Sequence, residues 1–493
     1  MIYNFNLGIG WASSGVEYAQ IYRARMFRNI GVDAKFVFTD MFPSENMEHM
    51  TKNIGFLDSE VIWLYTFFTD FKTAPVTYTL SDLEKTFTDL NYTKTREGKI
   101  CRYVFGGSNN FYTAYMVNDH DDFVHRVELV SNGFLIRKDY FTYGRVYSEY
   151  YAPLDNKAHL YHRRFFNENG SVAYEEIIDD DRVMYKFKDK ILCSKEEFVG
   201  YMVSQLHLTK DDVVLIDRST DIGQSIIMNC KPARVGTVVH ADHFSEKDTN
   251  DDYILWNNFY EYEFNMHKHI DFYICSTQAQ SDLMVQQFEK YYGVTPCVYT
   301  IPVGSLPELK YPSSTRKPFS LITASRLASE KHVDWICKAV IQAHAEVPEV
   351  SLDIYGEGGE REKLETIIRD NNASDYIRLM GQHDLSEVYQ NYEAYIAGST
   401  SEGFGLTLME AVGGGLPIVG FDVRYGNPTF IRNGGNGYLI SLPEEDKERI
   451  EALRKGIVDL FKQDLEKCHS ISYEVAKDFL TCNVQEKWRE AVC

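Results

Sequence analysis

At 493 residues and 57.0 kDa the chain exceeds what one hydrophobic core usually serves, so roughly two or three packed units are expected. Hydrophobic residues at 44% and charged residues at 25% place it among ordinary globular proteins and exclude a disordered or fibrous chain. A formal charge of -21 excludes a broad nucleic-acid footprint and simple electrostatic docking on anionic lipid, yet leaves room for a nucleotide diphosphate held by local cations and backbone N–H groups.

The nine cysteines are scattered and never spaced Cys-x2-Cys, so neither a disulfide framework nor a zinc site is expected, and a reducing compartment is the simple reading. Met1 to Phe5 opens directly into a strand-like run, and no stretch of about 18 apolar residues follows. The expectation is a soluble protein, neither exported nor membrane-spanning.

In chain order, Ile2 to Leu7 reads as a strand, Gly8 to Gly15 as a glycine loop and Val16 to Ile30 as a helix. Ser14 with Glu17 fits a capping box, which places the unpaired N–H groups of the helix start beside the loop. Ala34 to Thr39 reads as a second parallel strand. From about 41 to 200 the period changes to short aromatic or β-branched runs: Phe111–Val117, Phe123–Val130, Phe134–Asp139, Arg145–Tyr151, His159–Phe165, Val172–Ile177 and Val183–Phe187. Turn signals such as Ser131-Asn132-Gly133 separate them, so an inserted antiparallel meander is expected, with its aromatics read as packing and cross-strand pairing ahead of the alternative of a ligand-stacking role.

The α/β rhythm resumes at Val213–Asp217, Val235–His240 and Phe272–Cys275. The Pro- and Ser-rich stretch Pro302 to Pro318 reads as a linker. A second α/β unit follows, with strands near Phe319–Ala324, Leu352–Tyr355, Ile377–Leu379, Ala394–Ala397 and Ile418–Phe421. The expected division is 1–40 with 201–305 as an N-terminal Rossmann-like domain, 41–200 as the insert, and 306–475 as a C-terminal Rossmann-like, nucleotide-binding domain. Residues 476–493 are expected to form a helix packing back on the N-terminal domain.

Three patterns in the second unit fall where open α/β sheets bind ligands. Arg326 and Lys331 lie just beyond a strand, where they suit a diphosphate and a departing negative charge, although an Arg and a Lys on a loop alone read as solvated surface. Tyr355-Gly356-Glu357-Gly358 is a glycine turn between strand and helix, a weak signal by itself. In the run from Glu402 through Gly403, Phe404, Gly405, Leu406 and Thr407 to Glu410, two carboxylates flank glycines that permit close backbone approach. A helix starting near Leu406 would aim its positive end at a phosphate, and Glu410 would suit ribose hydroxyls. In the first unit, His240 ends an apolar strand and is followed by Asp242 and His243. A lone histidine there is usually structural, but a neutral imidazole lining the cleft would hydrogen-bond a sugar.

Glu402 through Glu410, Arg326 with Lys331, and Gly415-Leu416-Pro417 resemble the signature of retaining glycosyltransferases of the GT-B fold, the glycogen-synthase-like group. The resemblance implies two Rossmann-like domains facing across a cleft. The loop Leu7 to Ala19 and the inserted meander resemble more specifically the catalytic subunits that glycosylate serine-rich-repeat adhesins. That likeness implies UDP-N-acetylglucosamine as donor, Ser/Thr hydroxyls of the adhesin as acceptors, and a noncatalytic partner of the GtfB type, with no nucleic acid. It further implies a cytoplasmic location and allows peripheral association at the inner membrane face through the export machinery. By carry-over, Arg326 and Lys331 contact the diphosphate, Glu410 the ribose, Glu402 and the Phe404–Leu406 backbone (with Thr407) the sugar or its phosphate, and His240 the sugar. Ser14 and Gly15 line the opposite wall.

The expected reaction is transfer with retention through same-face attack, with no cofactor or metal, since the second unit has no Asp-x-Asp motif. The alternatives are a wall teichoic acid α-glucosyltransferase and a noncatalytic GT-B-fold binding subunit. The inserted sheet is expected to dock the partner or the unfolded acceptor.

Overall fold

The computed structural model describes residues 1–9, 15–43, 45–87, 91–106 and 109–493, and the chain divides into two compact units. The first comprises Met1–Ala24, Val32–Thr237 and Asn258–Asp271; the second comprises Arg25–Gly31, Val238–Asn257 and Phe272–Cys493. Among the described residues no helix is long and apolar enough to cross a membrane.

In the first unit Ile2–Asn6 pairs in parallel with Ala34–Phe38 on one side and Val213–Ile216 on the other, Ile2 facing both Ala34 and Val213. Arg234–Val239 extends this sheet beyond Val213–Ile216, and Val61–Trp63 extends it beyond Ala34–Phe38. That last strand lies inside the segment expected as the insert. Helix Gly15–Ile30 covers the sheet and brings Arg23 down onto Asp217, whose carboxylate takes two guanidinium bonds of 2.7 and 2.9 Å. Asn4 accepts a further bond from Arg23, and Gln20 donates to Asp217. A buried ion pair is tolerated only when its hydrogen-bonding groups find partners of this kind.

The meander has ten strands, each antiparallel to the next, from Tyr92–Glu97 to Ile191–Leu192. Asn132 and Gly133, both at positive φ, form the two-residue hairpin turn whose twist matches the flanking strands. Across four strands Tyr140, Tyr147, Phe165 and Tyr174 stand directly opposite one another in register. Their rings stack at 4.3, 5.4 and 4.5 Å. All four are buried, so this aromatic series is core.

The second unit holds a six-stranded parallel sheet in the order Ile377–Gly381, Ser351–Tyr355, Ser320–Ala324, Ala394–Ala397, Ile418–Phe421, Gly437–Ile440. Counted along the chain this is 3-2-1-4-5-6, the doubly wound arrangement of dinucleotide-binding domains. Apolar cores cover both faces, one under Val333–His344 and Asp446–Leu460, the other under Leu406–Gly413 and Leu465–Lys477. The Pro302 to Pro318 stretch is bound into this unit: Leu306 exchanges backbone bonds with Phe479 and Thr481, and buried Arg316 donates to the carbonyls of Gln390, Tyr392 and Gly414. Trp488, on the final helix Thr481–Val492, meets Phe27 edge to face at 5.3 Å.

Candidate functional site

Central strands Ser320–Ala324 and Ala394–Ala397 are neighbours whose onward connections run in opposite directions along the sheet. At such a switch point the loops after the two strands part and leave a crevice at the carboxyl edge. Here the crevice is lined by Ser325, Lys331, Tyr395, Glu402, Thr407 and Asn427 among others.

Lys331 ends the short turn Ser329–Lys331, and Glu402 lies in the loop after Ala394–Ala397. Lys331 Nζ donates to Glu402 Oε2 at 2.7 Å, with both side chains about one-fifth exposed (22% and 19%). The Glu402 backbone is pinned as well: its N–H donates to the Arg424 carbonyl at 3.1 Å, and its carbonyl accepts from the N–H groups of Tyr425 and Gly426 at 2.6 and 2.7 Å. A Cβ placed on Gly403 would have the His240 carbonyl oxygen 3.8 Å away, so the strand-end histidine and the Glu402 loop adjoin.

Gly405, at φ +89°, turns the chain into helix Leu406–Gly413. Any side chain there would strain the backbone and strike Leu408. Phe404 is buried against Phe430 and Phe479, and Leu406 closes on Gly304. These two side chains serve the core, which leaves their backbone for a ligand. Thr407 Oγ1 lies 3.1 Å from the Tyr395 hydroxyl, itself 3.0 Å from the Ala324 carbonyl, so the helix start is tied to the end of the first strand. Burial pushes the Tyr395 phenol up to about 12.

Other predicted residues stand apart from this pair. Arg326 is 81% exposed and meets Glu330 at 3.3 Å. Gly356, at φ +129°, supports the Arg326 loop from beneath, since a Cβ there would fall 1.9 Å from the Ser325 carbonyl oxygen. Its glycine is therefore a packing requirement. Glu410, one turn into its helix, accepts from the Tyr389 hydroxyl at 3.0 Å. Burial raises its carboxyl above the usual 4.5, and the Tyr389 bond opposes that shift. Gly15, in the first unit, opens its helix exposed, with nothing within 4 Å of a Cβ built on it. Ser14 lies outside the described residues, so of the proposed capping box only Glu17 is seen, bonded to Arg218 at 3.2 Å.

Sequence reasoning missed Tyr425, Asp242 and His243. The Tyr425 hydroxyl donates to Asp242 and lies 3.4 Å from His243 Nδ1, while His243 meets Gln287 Oε1 through Nε2 at 2.7 Å. Burial holds the His243 imidazole neutral, down to about 4. The signal available in sequence was the closeness of Asp242 and His243 to His240; nothing local pointed to Tyr425.

Residues 93–189 match the GtfA extended beta-sheet domain, and residues 310–478 match the glycosyl transferases group 1 family. The chain is 52% identical to the GtfA subunit of UDP-N-acetylglucosamine–peptide N-acetylglucosaminyltransferase from Streptococcus agalactiae, across 99% of this chain and 97% of that protein. Its fold matches the crystal structure of a GtfA/B complex with a TM-score of 0.96 at 52% identity, covering 100% of this chain and 99% of the other. It also matches the pneumococcal O-GlcNAc transferase GtfA solved with UDP and GlcNAc, with a TM-score of 0.85 at 49% identity, covering 100% and 98%. The parallel sheets with an antiparallel domain inserted in the N-terminal part are those of a GT-B glycosyltransferase. The chain belongs to the family of GtfA subunits of UDP-N-acetylglucosamine–peptide N-acetylglucosaminyltransferases.

Proposed function

We propose that this chain is the catalytic subunit that transfers N-acetylglucosamine from UDP-N-acetylglucosamine to Ser and Thr hydroxyls of a serine-rich-repeat adhesin, with retention, in a complex with a GtfB-type noncatalytic subunit. The observation that carries the reading is the Lys331–Glu402 pair in the switch-point crevice, in a chain half identical to GtfA subunits. In this reading Lys331 and Arg326 bind the diphosphate, Glu410 the ribose, and Glu402, His240 and the Phe404–Leu406 backbone with Thr407 the sugar and its phosphate. Gly15 and Ser14 belong to the acceptor side.

The bond from the anomeric carbon to the β-phosphate oxygen breaks as the acceptor oxygen attacks the same face. UDP departs with the electron pair, and the hydroxyl proton passes to the departing phosphate. Lysine, arginine and the N–H groups at the start of helix Leu406–Gly413 take up the charge that develops on UDP. The exposed strand Tyr92–Glu97 at the edge of the inserted sheet suits pairing with an extended polypeptide. Deleting 92–105 should weaken acceptor or partner capture in a pull-down, and undiminished capture would remove that role.

The test is mass spectrometry of an adhesin repeat incubated with the complex and several UDP-sugars. Addition of N-acetylhexosamine to Ser and Thr is expected. Preference for another donor, or modification of teichoic acid in place of the peptide, would overturn the proposal.

A further inference from the structure

Two loops of the second unit are clasped by adjacent residues, Arg424 and Tyr425, which follow strand Ile418–Phe421. Arg424 donates to Glu246 at 2.8 Å and its guanidinium lies 4.9 Å from the Phe244 ring centre. Tyr425 donates its hydroxyl to Asp242. Both therefore grip the loop that begins at His240. Through its backbone N–H the same Tyr425 holds the Glu402 carbonyl at 2.6 Å, and the two residues form a parallel bridge. One residue thus touches both the loop that presents His240 and the loop that presents Glu402.

Packing alone does not account for this tyrosine. It is 1% exposed and its ring lies near-parallel to His243 at 6.1 Å, a place that phenylalanine would fill equally well. What phenylalanine lacks is the hydroxyl aimed at a carboxylate. Burial and Asp242 both hold that phenol well above its ordinary range, so it stays protonated and remains a donor.

We infer that Tyr425 is a positioning residue for glycosyl transfer: through Asp242 and the Glu402 carbonyl it fixes the distance between His240 and Glu402. The inference rests on the reading in which those two groups contact the donor sugar. Small displacements of groups that hold a reacting centre cost rate more than affinity. The groups assigned to UDP, namely Lys331, Arg326 and Glu410, make no direct bond to Tyr425, and Lys331 is reached from it only through Glu402, so nucleotide affinity should respond less than rate to loss of its hydroxyl.

The test uses the complex with its noncatalytic partner and compares Tyr425→Phe, Asp242→Ala, Asp242→Asn and the double variant Tyr425→Phe/Asp242→Ala. Transfer from UDP-N-acetylglucosamine gives kcat and KM, and calorimetry gives the Kd for UDP. Tyr425→Phe and Asp242→Ala are each expected to lower kcat about tenfold with a clearly smaller change in the Kd for UDP. Asp242→Asn, whose amide carbonyl still accepts from the hydroxyl, should recover most of the loss. The double variant should be no slower than the slower single variant, because one contact is lost in each. Parental kcat in Tyr425→Phe, losses that multiply in the double variant, or an equal loss of UDP affinity would each overturn the inference. Glu402→Gln separates the two levels: unchanged turnover there removes the site reading itself, whereas its loss beside a parental Tyr425→Phe removes only the role of Tyr425.

Discussion

Lys331 Nζ sits 2.7 Å from Glu402 Oε2, joining two loops 71 residues apart at the carboxyl edge of one sheet. One ammonium proton is used in that bond, which leaves two for phosphate oxygens. The glutamate thereby aims the lysine charge as well as facing the crevice on its own account. Lys331→Ala is expected to lower kcat by about 10²–10³-fold, with a smaller change in KM, because the charge matters most as UDP departs. Lys331→Arg should recover only part, since a planar guanidinium does not reproduce a point charge. Steady-state transfer assays check both, and a parental kcat in Lys331→Ala would exclude the role.

With the countercharges supplied by side chains and a helix start, transfer should proceed undiminished in EDTA. Activity that is lost to the chelator and regained with Mg²⁺ or Mn²⁺ would contradict the proposed charge balance.

Glu410 yields a pH dependence of known sign. Burial raises its carboxyl above 4.5 in the unliganded chain, so the protonated form persists to higher pH than in an ordinary glutamate. Ribose hydroxyls donating to it would favour the carboxylate, so binding releases a proton and strengthens as pH rises through that raised value. Uridine, which has no titrating phosphate, is the clean probe. Its Kd should weaken on acidification below the raised value in the parent and stay flat in Glu410→Gln; identical profiles would remove Glu410 from the ribose site.

Much of this architecture was legible because buried parallel strands read as short apolar runs, as in Ala394–Ala397 and Ile418–Phe421. Gly437–Ile440 escaped because its four residues emerge from the Asn- and Gly-rich run Asn433 to Gly437, which reads as loop. In the inserted sheet Asn132-Gly133 announced its hairpin, while Tyr92–Glu97 gave no alternation since all six residues are exposed. The Lys331 and Glu402 loops were legible from residue type and from their place after strands. The clasp from Tyr425 to Asp242 was not, because it joins residues 183 apart and a tyrosine in a loop carries no pattern. His240 ends an apolar strand and so carries the pattern expected of a cleft histidine, whereas its neighbour His243 is fully buried.

That buried imidazole makes stability acid-sensitive. His243 is held neutral down to about 4, against 6.5 for an unburied histidine, so the unfolded chain takes up a proton that the folded chain refuses. Its contribution is present above pH 6.5 and is lost as pH falls towards 4, amounting to about 3 kcal/mol over that window. Urea unfolding at a series of pH values should show this loss in the parent and a smaller one in His243→Gln. Equal slopes would place the titration elsewhere.

The Arg23–Asp217 pair offers a test of what the first unit needs. Both side chains are almost wholly buried, at 2% and 0% exposure, and Asn4 and Gln20 bond to the pair. Removing one partner leaves an uncompensated charge in a dry interior, so Arg23→Met should cost about 3–5 kcal/mol. Replacing both charges removes that penalty but strands the Asn4 and Gln20 bonds, so Arg23→Met/Asp217→Leu should regain only part of the loss. The measurement is the urea midpoint of the transition reported by the first unit. If the double variant equals the sum of its single variants, the two groups do not depend on each other, and the network is packing alone.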